Sequence, residues 1–246
     1  MKIVKKIALI GSALFVIGLV IAMIASVTMQ RPFFDVISHT NHHKIDGATI
    51  SDEKIDEIVI DFDVAEVNIK ASSDSKISYE YFGNENNNFE TGTDDNKLKF
   101  SDSHRRKFFN FGFRTNRLEL YLPSEKSYNI RVSSDVGSIN IADIKAKDIN
   151  ARSNVGAIDI KNVTVTGEMI AKSDIGEVKI RDVKEPTRLE ASSNIGAVKI
   201  INLYSKDVTL SSDIGEVKFE NDDLSYKIDR LNVNTNIGSQ TINVGR

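Results

Sequence analysis

A motif of eight residues recurs through the carboxy-terminal half of this 246-residue chain, in the pattern Ser, Asp or Asn, Val or Ile, Gly, any residue, Ile or Val, any residue, apolar. Six copies occur, the last of them degenerate. Their glycines are separated by 19, 20, 20, 19 and 23 residues and are Gly137, Gly156, Gly176, Gly196, Gly215 and Gly238. A unit of about 20 residues cannot bury an apolar face alone, so the repeats must stack on one another.

Apolar residues alternate on both sides of each motif. They stand five and three positions before the Asp or Asn, as Ile130 and Val132 do in the first copy, and again one, four and six positions after it. Spacing by two predicts two strands per repeat, and the step from Asp or Asn to Gly predicts a corner between them. We therefore expect an all-β fold, a largely parallel β-solenoid whose coils pair at about 4.8 Å.

The corner residue alternates between acid and amide along the predicted stack: Asp135, Asn154, Asp174, Asn194, Asp213 and Asn236. Carboxylates on adjacent coils would repel, whereas interleaved amides can donate hydrogen bonds to them. The pattern favours a structural ladder. A calcium ladder is the alternative, but the GGxGxD nonapeptide of calcium-binding β-rolls is absent from the sequence. We predict no cofactor and no resident metal.

The Ser that precedes each corner residue has the parity of an inward-facing position, from Ser134 to Ser212, with Thr235 in the last copy. No residue of the pattern would serve as a base to activate these hydroxyls. They are therefore predicted to be structural.

Residues 58–69 fit the same register, with Ala65 in place of the glycine, and predict an opening coil. Between this coil and the regular repeats at 128–246, residues 76–123 predict an antiparallel hairpin insertion that caps one end of the solenoid. Within it, Thr91–Asn96 has the composition of a turn. The solenoid domain as a whole is predicted at 56–246.

The amino-terminal segment is long and apolar enough to cross a membrane. Residues 7–29 carry no charge, and a helix of that length spans roughly 34 Å. Lys2, Lys5 and Lys6 precede it, which places the tail 1–6 in the cytoplasm and the body outside the cell. A cleaved secretory signal is the alternative, but its apolar core would be shorter.

Residues 30–55 have the character of a linker between anchor and body. His39, His42 and His43 lie in it, but no acidic or cysteine partner stands at a characteristic metal-binding spacing. A solvated linker is the favoured interpretation over a metal site.

One segment combines basic and aromatic residues within an otherwise acidic body. Residues 105–117 contain four Phe together with basic residues, and the candidate surface residues are Arg105, Arg106, Lys107, Phe108, Arg114 and Arg117. The alternating Phe could fill the cap core with the basic groups solvated. Alternatively, the segment could bind anionic lipid headgroups or an anionic cell-wall polymer. Nucleic acid is not an expected partner, because residues 32–246 hold 28 basic against 35 acidic groups.

The anchor, the opening Asp63-Val64 coil, the strand Leu118–Leu122 ending at Pro123 and the six repeats together resemble the putative adhesin family of bacterial β-strand-repeat proteins. That family includes a membrane-anchored member of the Lia cell-envelope stress system. The resemblance covers about residue 56 to the end and implies a surface-exposed bacterial protein of adhesion or envelope-stress signalling.

Two classes of function follow. The first is a non-catalytic binding or regulatory module of the cell envelope, whose partner is an envelope protein or an anionic wall polymer. The second is a carbohydrate-active enzyme on a β-helix scaffold, which requires clustered acids or bases in a groove. The predicted outward positions hold scattered Lys, Glu and Asn, such as Asn140, Lys179 and Glu216. This scatter favours the first class.

Overall fold

A computed structural model describes residues 43–50, 54–83, 89–102, 116–221 and 228–244. The predicted cytoplasmic tail, membrane anchor and residues 105–115 of the basic-aromatic segment lie outside these ranges. No helix within the described ranges is both long and apolar enough to cross a membrane.

The described residues contain fifteen strands. They are β1 (His43–Ile50), β2 (Glu57–Ser72), β3 (Ile77–Gly83), β4 (Phe89–Asp94), β5 (Lys97–Asp102), β6 (Asn116–Pro123), β7 (Ser127–Val136), β8 (Ile139–Ala142), β9 (Lys145–Val155), β10 (Ile158–Val165), β11 (Glu168–Ile175), β12 (Val178–Lys184), β13 (Arg188–Ile195), β14 (Val198–Asn221) and β15 (Ile228–Val244).

The repeats stack in parallel, with equivalent residues above one another. Ser134 of β7 is in register with Ser153 of β9, which is in register with Ser173 of β11. The strands after the corner pair in the same way, as Ile139 does with Ile158 and Ile158 with Val178. The predicted all-β parallel solenoid is confirmed, and it continues through six repeats.

The first four repeats have a second corner that was not predicted from the sequence. The backbone bends after the second strand at a residue with positive φ, such as Asn162 (φ 50°) or Asp182 (φ 53°). The chain then forms a third short paired stretch, in which Thr164 lies in register with both Lys145 and Lys184. This stretch is additional to the two strands that were predicted for each repeat.

Aliphatic columns fill the interior. The residues five positions before the corner are all buried from the first to the fifth repeat, namely Ile130, Ile149, Met169, Leu189 and Val208. Those four positions after the corner are buried as well in these repeats, namely Ile139, Ile158, Val178, Val198 and Val217. Each coil therefore buries its own apolar face against its neighbours, which is why the repeat must stack to fold.

The amino-terminal end differs from the predicted hairpin cap. β5 and β6 both pair in parallel with β2, so they form a further layer of the solenoid. The predicted antiparallel hairpin is confirmed for β4 and β5, which are joined by a two-residue turn. β3 runs antiparallel to β6, and β1 runs antiparallel to β3. The apolar alternation of β5 and β6 suits either direction of pairing, which explains the difference.

Two boundaries also shift. Thr91 and Thr93, predicted to lie in a turn, belong to β4, and the turn is confined to Asp95, whose φ is 54°, and Asn96. Residues 43–50 of the predicted linker form β1, which pairs with β3 through a register shift between Lys44 and Asp46. Ile45 and Ile50 pack against the core, which holds β1 to the body.

Aromatic side chains close this end of the core. The Phe89 ring stacks on that of Tyr81 with centroids 4.0 Å apart, and Tyr79 meets Phe100 edge to face at 5.1 Å. The Tyr79 hydroxyl donates to Asp46 Oδ2 at 3.1 Å. Burial, with the Asp46 charge as a second cause, raises the pKa of Tyr79 to about 12. Tyr79 is therefore a neutral donor at physiological pH.

Candidate functional site: the glycine corners

In the six repeats each corner is built on a glycine, and a side chain at that position would clash with the backbone of the preceding coil. The six repeat glycines have φ between 148° and 158°. A Cβ on Gly176 would lie 2.1 Å from the carbonyl oxygen of Gly156, and one on Gly196 would lie 2.0 Å from that of Gly176. The glycines thus form a column in which each backbone packs directly on the one before it.

The Ser before each corner holds the column together. The Ser173 hydroxyl donates to the Gly156 carbonyl at 2.8 Å, and the Ser193 hydroxyl donates to the Gly176 carbonyl at 2.8 Å. These serines are buried, as their parity predicted. Each hydroxyl therefore satisfies a carbonyl of the previous coil.

The corner acids and amides are hydrogen-bonded in pairs on the outside of the bend. The amide of Asn154 donates to Asp135 Oδ1 at 2.8 Å, that of Asn194 to Asp174 at 3.1 Å, and that of Asn236 to Asp213 at 2.9 Å. Each amide reaches back to the carboxylate of the preceding coil. No group of three His, Cys, Asp or Glu suited to a metal occurs among the residues that the structure describes.

Exchanging the acid and the amide of one pair tests whether the ladder stabilises the fold. We expect Asn236→Asp to lower the free energy of unfolding by about 0.5–1.5 kcal/mol, since it removes an amide donor and sets two carboxylates on adjacent coils. Adding Asp213→Asn restores an acid-amide pair in reverse order and should recover most of the loss. Urea unfolding of the three variants measures both steps. Equal stability of the single and double variants would contradict the ladder.

A second ladder follows the second corner and was missed in the sequence. The amide of Asn162 donates to Asp143 Oδ1 at 2.7 Å, and that of Asn202 donates to Asp182 Oδ1 at 3.1 Å. In the fifth repeat the equivalent Asn221 turns inward and bonds the backbone of Leu203. The signal was available, because all of these residues stand eight positions after a corner acid or amide.

The residue after each corner acid or amide is apolar and exposed. Its exposed fraction is 37% at Val64, 49% at Ile175 and 66% at Ile237. We call this column the corner ridge: Val64, Val136, Val155, Ile175, Ile195, Ile214 and Ile237. Neighbours are in register from coil to coil, so at about 4.8 Å per step the ridge extends roughly 29 Å.

The two columns that flank the corner ridge carry acids and no base. On one side stand the corner residues, which include the acids Asp63, Asp135, Asp174 and Asp213; on the other stand Glu66, Glu177 and Glu216 among small residues. One of these acids is paired with a base of the next coil, since Lys199 Nζ lies 2.9 Å from Glu177 Oε1. The hydrogen bond to Glu177 raises the pKa of Lys199. The ridge is therefore an apolar strip with a mildly negative border.

Two carboxylates that line a shallow hollow are already held in hydrogen bonds. Asp143 and Asp159 line a shallow hollow of about 200 Å³ beside Lys70 and Lys161. Asp143 accepts the amide of Asn162, and Asp159 accepts two hydrogen bonds from Arg181 at 2.9 and 3.1 Å. Both groups thus serve contacts between coils.

Of the predicted basic-aromatic patch, only Arg117 falls within the described residues. Its guanidinium carbon lies 4.6 Å from the ring centroid of Phe82, and its Nε lies 3.5 Å from Glu119 Oε1. Arg105, Arg106, Lys107, Phe108 and Arg114 lie outside the described ranges, and the proposed role of the patch stays a prediction.

A sequence model described as Toastrack DUF4097 matches residues 55–242. No curated protein matches the chain in sequence. Among solved structures, a putative cell adhesion protein from Clostridium sporogenes is similar at 11% identity and a TM-score of 0.49, covering 81% of this chain and 98% of its own. A putative adhesin from Bacteroides fragilis is similar at 18% identity and a TM-score of 0.49, covering 81% and 97%.

Proposed function

The chain belongs to the Toastrack DUF4097 family, and we propose that it is a non-catalytic binding module of the bacterial cell envelope that docks a protein partner on the corner ridge. Residues 7–29 would hold it at the membrane, with the solenoid on the outer side. Binding there would serve adhesion or envelope-stress signalling.

The observation that carries this proposal is the exposure of seven aligned Val and Ile side chains. Isolated apolar residues are common on protein surfaces, but a contiguous apolar strip marks an interaction site. Burying the exposed half of one Ile contributes about 1–2 kcal/mol. A partner that covered several coils would therefore gain enough from the ridge to bind specifically.

The charges beside the ridge select the class of partner. An anionic wall polymer would be repelled by Asp135, Asp174 and Asp213, which stand beside the apolar side chains. A protein segment that presents apolar side chains and has Lys or Arg at its margins matches both features. The ridge thus favours an envelope protein over an anionic polymer.

Photo-crosslinking in intact cells tests the proposal. A photoreactive residue is placed at Ile175, Ile195 or Ile214 of the full chain, and a control at Ile170, a half-buried position away from the ridge. We expect one and the same protein to be captured from all three ridge positions and not from the control.

The captured protein is then purified and its affinity for the full chain measured. Ile175→Ser with Ile195→Ser should weaken binding at least tenfold, because two apolar contacts are lost, whereas Ile170→Ser with Ile201→Ser should leave it unchanged. Equal binding by the two double variants would refute docking on the ridge. Capture of wall polymer in place of protein would refute the choice of partner.

A further inference from the structure

β15 is the outermost strand at the carboxy-terminal end of the described solenoid. Within the described ranges β15 pairs only with β14. Side chains that continue the inward columns are consequently uncovered: Ile242 is 48% exposed, although it lies in register with Phe219, which is 1% exposed. Leu231 and Val233 are half-buried, whereas Val208 and Leu210 beside them are fully buried. The end of the core and a strand edge are thus both presented to solvent.

Most of this edge lacks the charges that normally protect an exposed strand. β15 has Asp229 and Arg230 near its start, but residues 231–244 contain neither a charged residue nor a proline, in a chain of which 27% is charged. The outermost strands of the opposite end are different, since β1 contains Lys44 and Asp46 and β4 contains Glu90 and Asp94. Charges on an edge strand prevent it from pairing with another chain. The uncharged stretch 231–244 of β15 therefore has none of this protection against adding a strand.

The side chains of β15 allow the strand to pair with the same strand of another molecule. Its outward positions are Asn232 and Asn234 before the corner and Asn236 at the corner, and an amide carries both a donor and an acceptor. Amides can consequently face identical residues across a two-fold axis, which acids or bases cannot do without repulsion. We propose that β15 pairs antiparallel with β15 of a second copy of this chain, end to end.

This pairing closes on itself. Both copies use the same strand, so the interface is isologous and produces a dimer rather than a fibre. Centred on Val233, it sets Leu231 against Thr235 and Asn232 against Asn234, so that inward residues meet inward residues. The half-exposed ends of the two cores would then cover one another. The edge can pair in this way whether or not the corner ridge binds a partner.

Light scattering on the full chain in detergent gives the first test. We expect a dimer whose dissociation constant rises at least tenfold in Asn232→Lys with Asn234→Lys, because like charges then meet across the axis. Thr209→Lys with Ser211→Lys is the matched control, since these residues occupy the same columns one coil earlier. A monomeric wild-type chain, or a dimer unaffected by the edge lysines, would overturn the proposal.

Disulfide cross-linking supplies a second readout that does not depend on how the lysine variants fold. The chain contains no cysteine, so introduced thiols report only the positions at which they are placed. In intact cells Asn232→Cys with Asn234→Cys should form a disulfide-linked dimer, because residue 232 of one copy then faces residue 234 of the other, and Thr209→Cys with Ser211→Cys should not. Absence of the dimer in the first double variant, or its cross-linking to a different protein only, would refute self-pairing of β15.

Discussion

Replacing Gly176 by Ala should lower the free energy of unfolding by roughly 3–5 kcal/mol, or prevent folding altogether. Two costs combine at this position. The φ of 153° is one that residues with a Cβ rarely adopt, and the added carbon would lie 2.1 Å from the Gly156 carbonyl oxygen. The obstacle is backbone of the preceding coil, so it cannot rotate away as a side chain would. Relief requires adjacent coils to separate, which breaks the ladder between them.

Gly92→Ala is the matched control. Gly92 lies in a strand as well, but a Cβ there would have nothing within 4 Å, so its stability should change by less than about 0.5 kcal/mol. Chemical denaturation followed by circular dichroism compares the two variants. Similar losses in both would show that the column tolerates a Cβ and that the coils are not held at this close approach.

The stacking of the coils could be predicted because the glycine column and the apolar alternation impose the same period. The exposure of the corner ridge could not. Val136 is apolar in the sequence just as Ile139 is, yet Asp135 and Val136 both face solvent while Ile139 is buried. The glycine conformation turns the chain between them and interrupts the inward-outward alternation. An apolar residue beside a corner can thus face either the core or the solvent, and the backbone geometry determines which.

The parallel pairing of β5 and β6 with β2, the strand of the opening coil, could not be predicted for a different reason. β5 and β6 lack the Asp-x-Gly corner and follow two antiparallel strands in the chain. Their side chains alternate as those of any half-buried strand do, and alternation does not determine direction or partner. The pairing of distant strands can thus be predicted from the sequence only where a repeated residue, such as the corner glycine, identifies equivalent positions.

The buried serines stabilise the stacked coils by hydrogen bonds to the glycine column. Replacing Ser193 by Ala should lower the free energy of unfolding by about 1–3 kcal/mol. The Ser193 hydroxyl donates to the Gly176 carbonyl at 2.8 Å in a position where water has little access. Ala removes the donor and leaves that carbonyl without its hydroxyl partner. The loss should exceed that of an exposed hydrogen bond, because the desolvation of the carbonyl is no longer offset.

Two other hydroxyl residues, Ser192 and Thr235, serve as controls. They distinguish the loss of the hydrogen bond to the glycine carbonyl from the loss of side-chain atoms alone. Ser192 is the adjacent residue and points outward, so Ser192→Ala should change stability by less than about 0.5 kcal/mol. Thr235 occupies the serine position of the last coil, but its buried hydroxyl has no hydrogen-bond partner within the described part of the chain. Thr235→Ala should therefore cost less than Ser193→Ala despite removing more atoms. The reverse order in urea unfolding would mean that packing, rather than the bond to the glycine carbonyl, makes the serine column stabilising.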